Sequence, residues 1–533
     1  MIERLIIHNF KGIKSADIQF QSYKNVIVGN NGAGKSTIME ALSLAMGYGL
    51  NKLEVTPHLF HIDCIKEFRD TKTPPIITIE VVISGAKDDF SGTNNTLRTN
   101  LRGLQLKICF DEDYADLFEA EKSECTQIPC EYYKVERNWF SDAPVKQQLI
   151  PYNVMLVDSS SAYLNVSSNQ YMANLLKKYI GEDNLVKVQS SLRHLREKFE
   201  GEKSIDQINE TLSGEIENLK VSIDVTSNII FRNILCPFLD EIPIGQIGEG
   251  ELCILKTLLS IDKSHLTDKP KIVIIEEPET HLSHTKMYEL IRKIEENLKD
   301  DKTQLIVTTH NSFVANKLDL SNLMMISNDN GIINTCKPDK RDNELFSFFT
   351  KISNYPTLRL ILCKSAILVE GPTDEMVITY YYKKKYDRHP FDDGIELISV
   401  EGVKFKNFVE LAKSFKKRVA IVTDNDGFSL EDLHSHRGLD EIPDNIKIFT
   451  EIDTSINTLE PSFVKANADN LQELSNAVRK MEVNPDTEAD LVEFMGKNKT
   501  EWAYRLLTNI DSTNFKTPEY IIKAINWIRN DGE

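Results

Sequence analysis

Residues Gly29 to Thr37 (GNNGAGKST) have the types and spacing needed to hold the phosphates of a nucleotide. Gly29, Gly32 and Gly34, interleaved with Asn30, Asn31 and Ala33, let backbone N–H groups approach phosphate oxygens that bulkier side chains would keep away. Lys35 supplies a compact charge for the β- and γ-phosphates. The Ser36 hydroxyl, followed by Thr37, suits a Mg²⁺ ligand. Far downstream, Lys271 to Glu277 (KIVIIEE) is an apolar run closed by two carboxylates. Glu276 is placed to hold the Mg²⁺ shell, and Glu277 to orient or deprotonate an attacking water. A third set lies nearer the C-terminus. Ala366 to Glu370 (AILVE) leads into Gly371-Pro372-Thr373-Asp374, and Arg418 to Thr423 leads into Asp424-Asn425-Asp426-Gly427. A Glu closing one strand and an Asp-x-Asp closing another suit two-metal chemistry, because close carboxylates repel unless a cation neutralises them.

These residues need strands that end together and helices that start there. Asn25 to Val28 reads as a strand feeding the first loop, and Ile38 to Met46 as the amphipathic helix leaving it. Further strands are expected at Arg4 to Phe10, Ala16 to Phe20, Ile76 to Ser84 and Leu104 to Phe110, with Ser91 to Asn100 as an exposed loop. From Tyr163 to Ile223 the periodicity turns helical, at Met172 to Ile180, Leu192 to Phe199 and Ser204 to Val221. An arm for dimerisation and a helical layer over the sheet both fit this insertion. After Asn330 come a polar connector and a helical stretch, Asp342 to Leu362. A second α/β unit follows, with Glu396 to Val400 as another strand and helices from Met376 and over Phe405 to Phe415. The divisions are therefore 1–162 and 236–340 as two parts of a nucleotide-binding domain, 163–235 as the insertion, and 341–533 as the second domain.

The 533 residues allow two or three domains. No run has the apolar length of a membrane span, the N-terminus lacks a signal-peptide pattern, and the cysteines show no CxxC pairing. A cytoplasmic protein with no membrane partner is expected. The net charge of −18 means that DNA must be met through a local basic groove, or with metal screening the carboxylates. Tyr380 to Tyr386 (YYYKKKY), Arg388, His389, Lys404, Lys406 and Lys416 to Arg418 are the candidates for such a groove; a solvated face is the other reading of a lysine run.

Several stretches carry a resemblance to known families. Asn9 to Ile13 (NFKGI) resembles the opening of SMC-type ATPases, and Pro278 to Leu282 (PETHL) the segment after the acidic strand in ABC-type ATPases. That resemblance implies that His310, closing QLIVTTH, is a switch histidine at the γ-phosphate. It also implies that Gly248 and Gly250 belong to a signature loop closing on a partner subunit's nucleotide. The usual serine of that loop is missing, with Glu249 in its neighbourhood, which implies slow hydrolysis. The Glu370 and Asp424-x-Asp426 set resembles a Toprim domain. An ABC-type ATPase joined to a C-terminal Toprim domain resembles the OLD (overcoming lysogenization defect) family of nucleases, including the Gabija nuclease subunit and retron-associated effectors. The fold class implied is α/β: an ABC/SMC-type ATPase domain with a helical dimerisation insertion, followed by a Toprim α/β domain. The resemblance adds Asp374 and Glu460 (in Asn457 to Glu460, NTLE) to the metal ligands. It places a catalytic lysine in Gly496 to Leu506, where Lys499 fits best and Lys497 is the alternative. It implies ATP and Mg²⁺, or Mn²⁺ at the Toprim site; DNA as substrate; a homodimer or larger homo-oligomer; and a helicase-like or retron reverse-transcriptase partner with its msDNA. The implied activity is an ATP-regulated, metal-dependent DNA endonuclease or nickase in anti-phage defence. A topoisomerase-like strand-passage enzyme and an ATP-gated DNA clamp with a non-catalytic Toprim unit are the alternatives.

Overall fold

The computed structural model describes residues 1–47, 50, 53–85, 88–146, 150–158, 182–215, 219, 221–222, 238–261, 270–280, 282–297, 303–339, 343–352, 355–400, 405–439, 441–479 and 487–530. The expected helix Met172 to Ile180 and Lys404 lie outside these residues. The described chain divides into two compact units: Met1–Thr309 with Ile326–Thr335, and His310–Met325 with Cys336–Glu533.

The first unit is built on a mixed sheet. In its antiparallel part, β1 (Ile2–Phe10) pairs with β2 (Ile13–Gln19) on one side and β4 (Ile77–Ile83) on the other. β6 (Leu101–Phe110) continues beside β4, flanked by β5 (Ser91–Gly92) and β7 (Tyr133–Trp139). In the parallel part the order is β3 (Lys24–Val28), β12 (Thr303–Thr308), β11 (Lys271–Glu276), β8 (Asn153–Asp158). β13 (Leu323–Asp329) and β14 (Ile332–Cys336) bridge the two parts, and a small separate pair is formed by β9 (Phe238–Leu239) and β10 (Ile242–Pro243). β11 and β12 are buried at every residue, which is why they read as continuous apolar runs rather than as alternating strands. Their register puts Glu276 beside both Thr308 and Asp158, and Thr308 beside Ile27. The nucleotide loop and the two carboxylates therefore start from one edge of the parallel strands.

A buried glutamine ties the strand set together. Gln304 is fully buried; its Nε2 donates to the carbonyls of Ile2 and Gln21, and its Oε1 accepts from the Ile2 N–H, all at 2.8 Å. It closes β12 onto the start of β1, where β1 has no ladder partner for those groups.

Two expectations change in this unit. Ser91 to Asn100 is not wholly an exposed loop: Ser91–Gly92 pairs with β6 and Asn95 is buried, its amide donating to the carbonyls of Gly92 and Thr99. Of the helix expected over Ser204 to Val221, the described residues show Lys203–Glu215, and Val221 is not helical. Val221 lies alongside that helix, its N–H and carbonyl both taken by the Asn209 side chain. A preceding helix, Glu182–Glu200, contains the expected stretch Leu192 to Phe199.

The second unit carries a four-stranded parallel sheet in the order β16 (Ile395–Ser399), β15 (Ser365–Val369), β17 (Arg418–Val422), β18 (Ile446–Phe449). The helix Pro372–Tyr386 packs between this sheet and the helix Lys499–Thr508. Being covered on both sides, it buries Tyr380 and Tyr382 completely, which removes these two rings from the expected basic–aromatic groove. The Tyr380 hydroxyl accepts from the Phe515 N–H at 3.0 Å, and the Tyr382 hydroxyl is bonded to Asp393 and Arg529. Lys385 lies over the rings of Tyr381 and Tyr386. Lys417 donates to the Cys363 carbonyl at 2.8 Å, and Arg418 stacks 4.1 Å over Trp527. These contacts serve the fold, while Lys384, Lys385, Arg388, Lys406 and Lys416 remain exposed.

Replacing Gln304 by Leu strands the Ile2 N–H and carbonyl inside the sheet, and each buried unsatisfied group costs about 1–3 kcal/mol. The expected result is a lower denaturant midpoint with unchanged slope for the first unit's transition. A midpoint equal to wild type would show that water satisfies the strand end.

Candidate functional site

The nucleotide loop begins where β3 ends. Gly29 is packed so closely that a Cβ would stand 2.8 Å from the Ile326 carbonyl oxygen. Gly34 has φ +96°, the left-handed conformation that L side chains rarely adopt, and it N-caps the helix Lys35–Ala45. That helix starts with no side-chain cap, leaving its first N–H groups for an anion. Lys35 is buried, with its Nζ donating to the Gly29 carbonyl at 2.8 Å, inside the loop's own curve. Asn30, Asn31 and Gly32 are exposed, Ala33 is buried, and Ser36 and Thr37 are half-buried on the first turn.

Glu276 is buried at the end of β11, while Glu277 turns out of the strand at φ +42°. A non-glycine residue there stores backbone strain. The Glu277 N–H is held by the Thr308 carbonyl at 3.0 Å and its Oγ1 at 3.3 Å. The Thr309 hydroxyl donates to Glu279 at 2.7 Å. His310 follows as an exposed residue ahead of the helix Ser312–Lys317, which Asn311 caps. Gly248 is exposed immediately before the helix Glu249–Ile261, and Gly250 lies in its first turn.

In the second unit Glu370 closes β15, Asp424 and Asp426 follow β17, and Asp374 and Glu460 sit in the first turns of the helices Pro372–Tyr386 and Leu459–Ala466. Glu370 Oε1 accepts from the Thr423 hydroxyl and, at 3.2 Å, from the Asp424 N–H, which joins the ends of β15 and β17. Asp374 accepts from the Gly371 N–H at 3.1 Å. Burial pushes the Asp374 carboxyl up to about 7, with Glu370 and then Glu460 adding to the shift against the two backbone N–H groups. Burial pushes Asp424 up to about 8; Glu370, Asp374 and Glu460 add to it and Lys499 opposes it. Four of the five expected carboxylates thus share one electrostatic field with Lys499. Among the described residues they do not close into a ready-made metal cage. Asp426, at φ +51°, is the more exposed and is drawn instead to Arg437.

The two lysines separate. The stretch Gly496 to Leu506 spans the junction of two helices, Glu488–Lys497 and Lys499–Thr508, which meet at Asn498. Lys497 is paired with Glu493, whereas Lys499 is exposed at the start of a helix whose N-cap makes no side-chain bond.

Four supporting residues escaped the sequence reading. Asn425 is fully buried: its Nδ2 donates to the carbonyls of Glu451, Asp453 and Ile456 at 2.9–3.1 Å, and its Oδ1 accepts from the Gly427 N–H at 2.9 Å. It fixes the turn that aims both aspartates. An Asn ahead of Gly in a DNDG turn was the available signal. Thr423 fixes Glu370, and Arg437 bridges Glu370 and Asp426, with no local pattern marking either. Tyr520 adds a buried phenol, raised well above its ordinary range by burial and by the surrounding carboxylates, so it stays protonated.

A phosphate-loop ATPase fold and a Toprim-type acidic sheet edge in one chain define an ATP-binding enzyme of the nuclease type. The chain belongs to the OLD family of ATPase–Toprim proteins: its residues 24–316 match the family described as "AAA domain, putative AbiEii toxin, Type IV TA system", and residues 361–426 match "Overcoming lysogenization defect protein-like, TOPRIM domain". It is 24% identical over 396 residues to "Retron Ec83 probable ATPase" of Escherichia coli, spanning 60% of this chain and 70% of that one. It is 24% identical over 330 residues to "ATP/GTP phosphatase" of Helicobacter pylori, spanning 58% and 85%. Among solved structures it is similar to the SMC head domain from Thermotoga maritima, at 14% identity, covering 63% of this chain and 99% of that one, with a TM-score of 0.29. The C-terminal region of the Burkholderia pseudomallei OLD protein is similar at 19% identity, covering 32% and 98%, with a TM-score of 0.26. No helix among the described residues is long and apolar enough to cross a membrane.

The crowded carboxyls give the metal-free protein a pH-dependent stability. With Asp374 raised to about 7 and Asp424 to about 8 from an ordinary 3.8, the folded state keeps protons that the unfolded chain gives up near pH 4. Their contribution is complete below pH 4 and is lost as pH rises through 7 and 8. In EDTA, Asp424→Asn is therefore expected to raise Tm relative to wild type by an amount that grows between pH 5 and 8.5. A Tm difference that is flat across this range would show that these carboxyls ionise normally.

Proposed function

We propose that the protein is a divalent-metal-dependent DNA endonuclease or nickase, controlled by ATP binding and used in defence against phage or other foreign DNA. One observation carries the reading: Asp424 feels Glu370, Asp374 and Glu460 together, with Lys499 acting on it in the opposite sense. An all-carboxylate donor set fits Mg²⁺ or Mn²⁺. Glu370, Asp374, Asp424, Asp426 and Glu460 are the residues that would hold it. Bound there, such a cation neutralises the crowded carboxylates and lowers the pKa of a coordinated water. Lys499, at an uncapped helix start, is suited to the non-bridging oxygens of the scissile phosphate, where a positioned cation stabilises developing charge. Lys497, engaged by Glu493, is the poorer candidate.

At the other site Lys35 would engage the β/γ-phosphates, Ser36 and Glu276 the Mg²⁺, and Glu277 the attacking water. His310 is assigned to the γ-phosphate. Gly248 and Gly250, at the start of a helix, suit the phosphates of a second copy's nucleotide, so a homodimer is part of the reading. Similarity to a retron ATPase supports a reverse transcriptase with its DNA as the partner class, ahead of a helicase. ATP acts as a switch, because any influence of one site on the other is a coupling free energy between two conformations.

Supercoiled plasmid incubated with purified protein, Mg²⁺ or Mn²⁺, and graded ATP tests the reading. Asp424→Ala and Asp426→Ala are expected to reduce nicking to background while ATP binding stays at the wild-type level. Lys499→Ala is expected to slow nicking by about 10²–10³-fold. Undiminished nicking by both aspartate variants sinks the nuclease assignment. Lys35→Ala is expected to flatten the dependence on ATP; a wild-type response in that variant would show that the nucleotide acts elsewhere.

A further inference from the structure

The DNDG turn after β17 continues directly into a short helix, Leu430–His436, and Arg437 is its last, C-capping residue. Several contacts fix this segment. Ser429 Oγ accepts the Asp432 N–H, Leu433 is fully buried, and the Phe428 ring stacks on His436 at 4.4 Å. The Arg437 N–H is held by the Leu433 carbonyl at 2.9 Å. The side chain therefore returns to the turn it came from.

There its Nη2 stands 2.8 Å from Glu370 Oε1 and 2.8 Å from Asp426 Oδ2, with only 9% of the side chain exposed. The guanidinium lies 5.7 Å from the centre of the buried Phe405 ring, and its Nε is buried with no hydrogen-bond partner among the described residues. A buried arginine normally engages its donors fully, in a fork against one carboxylate. Here one nitrogen spans two carboxylates from two strand ends while another donor goes unused. Opposite charge, rather than good guanidinium geometry, decides the placement.

Resting on the metal-site reading above, we propose that Arg437 is a resident counter-cation of the acidic site that competes with the divalent ion. The lone pairs that Arg437 holds on Glu370 and Asp426 are ones a hard cation would need, and its positive charge opposes a second cation beside it. Metal binding then requires the arginine to release both carboxylates, and Arg437 sets how much free metal the site needs before it fills. The residue is a positioning and competing group; it performs no bond-making step.

Titration of the full-length protein with Mn²⁺, following the free-ion signal by electron paramagnetic resonance, tests this without reference to cleavage. Arg437→Gln is expected to bind Mn²⁺ about tenfold more tightly than wild type. It is also expected to have a lower Tm in EDTA that saturating Mn²⁺ restores. Arg437→Lys keeps the charge but cannot reach both carboxylates as a rigid donor, and is expected to fall between the two; it serves also if the glutamine variant is poorly folded. Mn²⁺ affinity that is unchanged or weaker in both variants, with native circular dichroism, overturns the proposal and makes Arg437 an organiser of the ligands. Asp424→Ala is the control on the underlying reading: Mn²⁺ binding that it leaves intact, or that no protein shows, overturns the metal site itself.

Discussion

Charge crowding at the C-terminal edge of the second sheet is the constraint around which this unit is organised. A parallel sheet delivers every strand end to one side, so acidic residues closing adjacent strands are forced into each other's field. Burial then makes their repulsion expensive in a way that it is not in water. The fold answers with three kinds of positive charge: protons retained on Asp374 and Asp424, the guanidinium of Arg437 on Glu370 and Asp426, and the field of Lys499. A strand edge that needs compensating charge even in isolation has the electrostatics of a cation site.

The first unit uses the same geometry with the opposite polarity. Its loop and its helix start, which has no side-chain cap, gather backbone N–H groups and a lysine at the end of β3, which suits anions, while the carboxylates of β11 stand two strands along, beyond β12. Both units pin their acidic turns by strain plus hydrogen bonds. Glu277 and Asp426 each sit at positive φ directly beyond a strand, and each is held there by its surroundings: Thr308 in the first case, the Asn425 turn in the second. A backbone conformation costing about 1–3 kcal/mol persists only where neighbours over-determine it.

Legibility from sequence followed the range of the interaction. The phosphate loop, the double-carboxylate strand and the Toprim acids were readable because each is a few residues bounded by a strand and a helix. Gln304 was not, because its partners Ile2 and Gln21 lie some 300 residues away in sequence. Arg437 escaped for a related reason: an arginine at the end of a seven-residue helix looks solvated until the chain folds it back onto β15. The tyrosine–lysine run misled in the other direction. Its composition suits a nucleic-acid surface, yet a helix covered by sheet on one side and helix on the other consumes Tyr380 and Tyr382 as core and leaves the exposed side to Lys384 and Lys385.

The position of Arg437 also joins competitor and ligands mechanically. Asp424, Asn425, Asp426 and Arg437 belong to one continuous segment between β17 and the end of the helix Leu430–His436. Asn425 anchors the near end through three carbonyls of the Glu451–Ile456 loop, and Leu433 anchors the far end in the core. Releasing the arginine can therefore leave the aspartates in place, because the turn that aims them is held by Asn425 and not by the guanidinium. The same argument explains why Glu370 needs its own tether: Thr423 and the Asp424 N–H keep it aimed from the neighbouring strand when Arg437 lets go. Charge compensation and ligand geometry are thus carried by different residues, and this separation is what allows one to be exchanged without loss of the other.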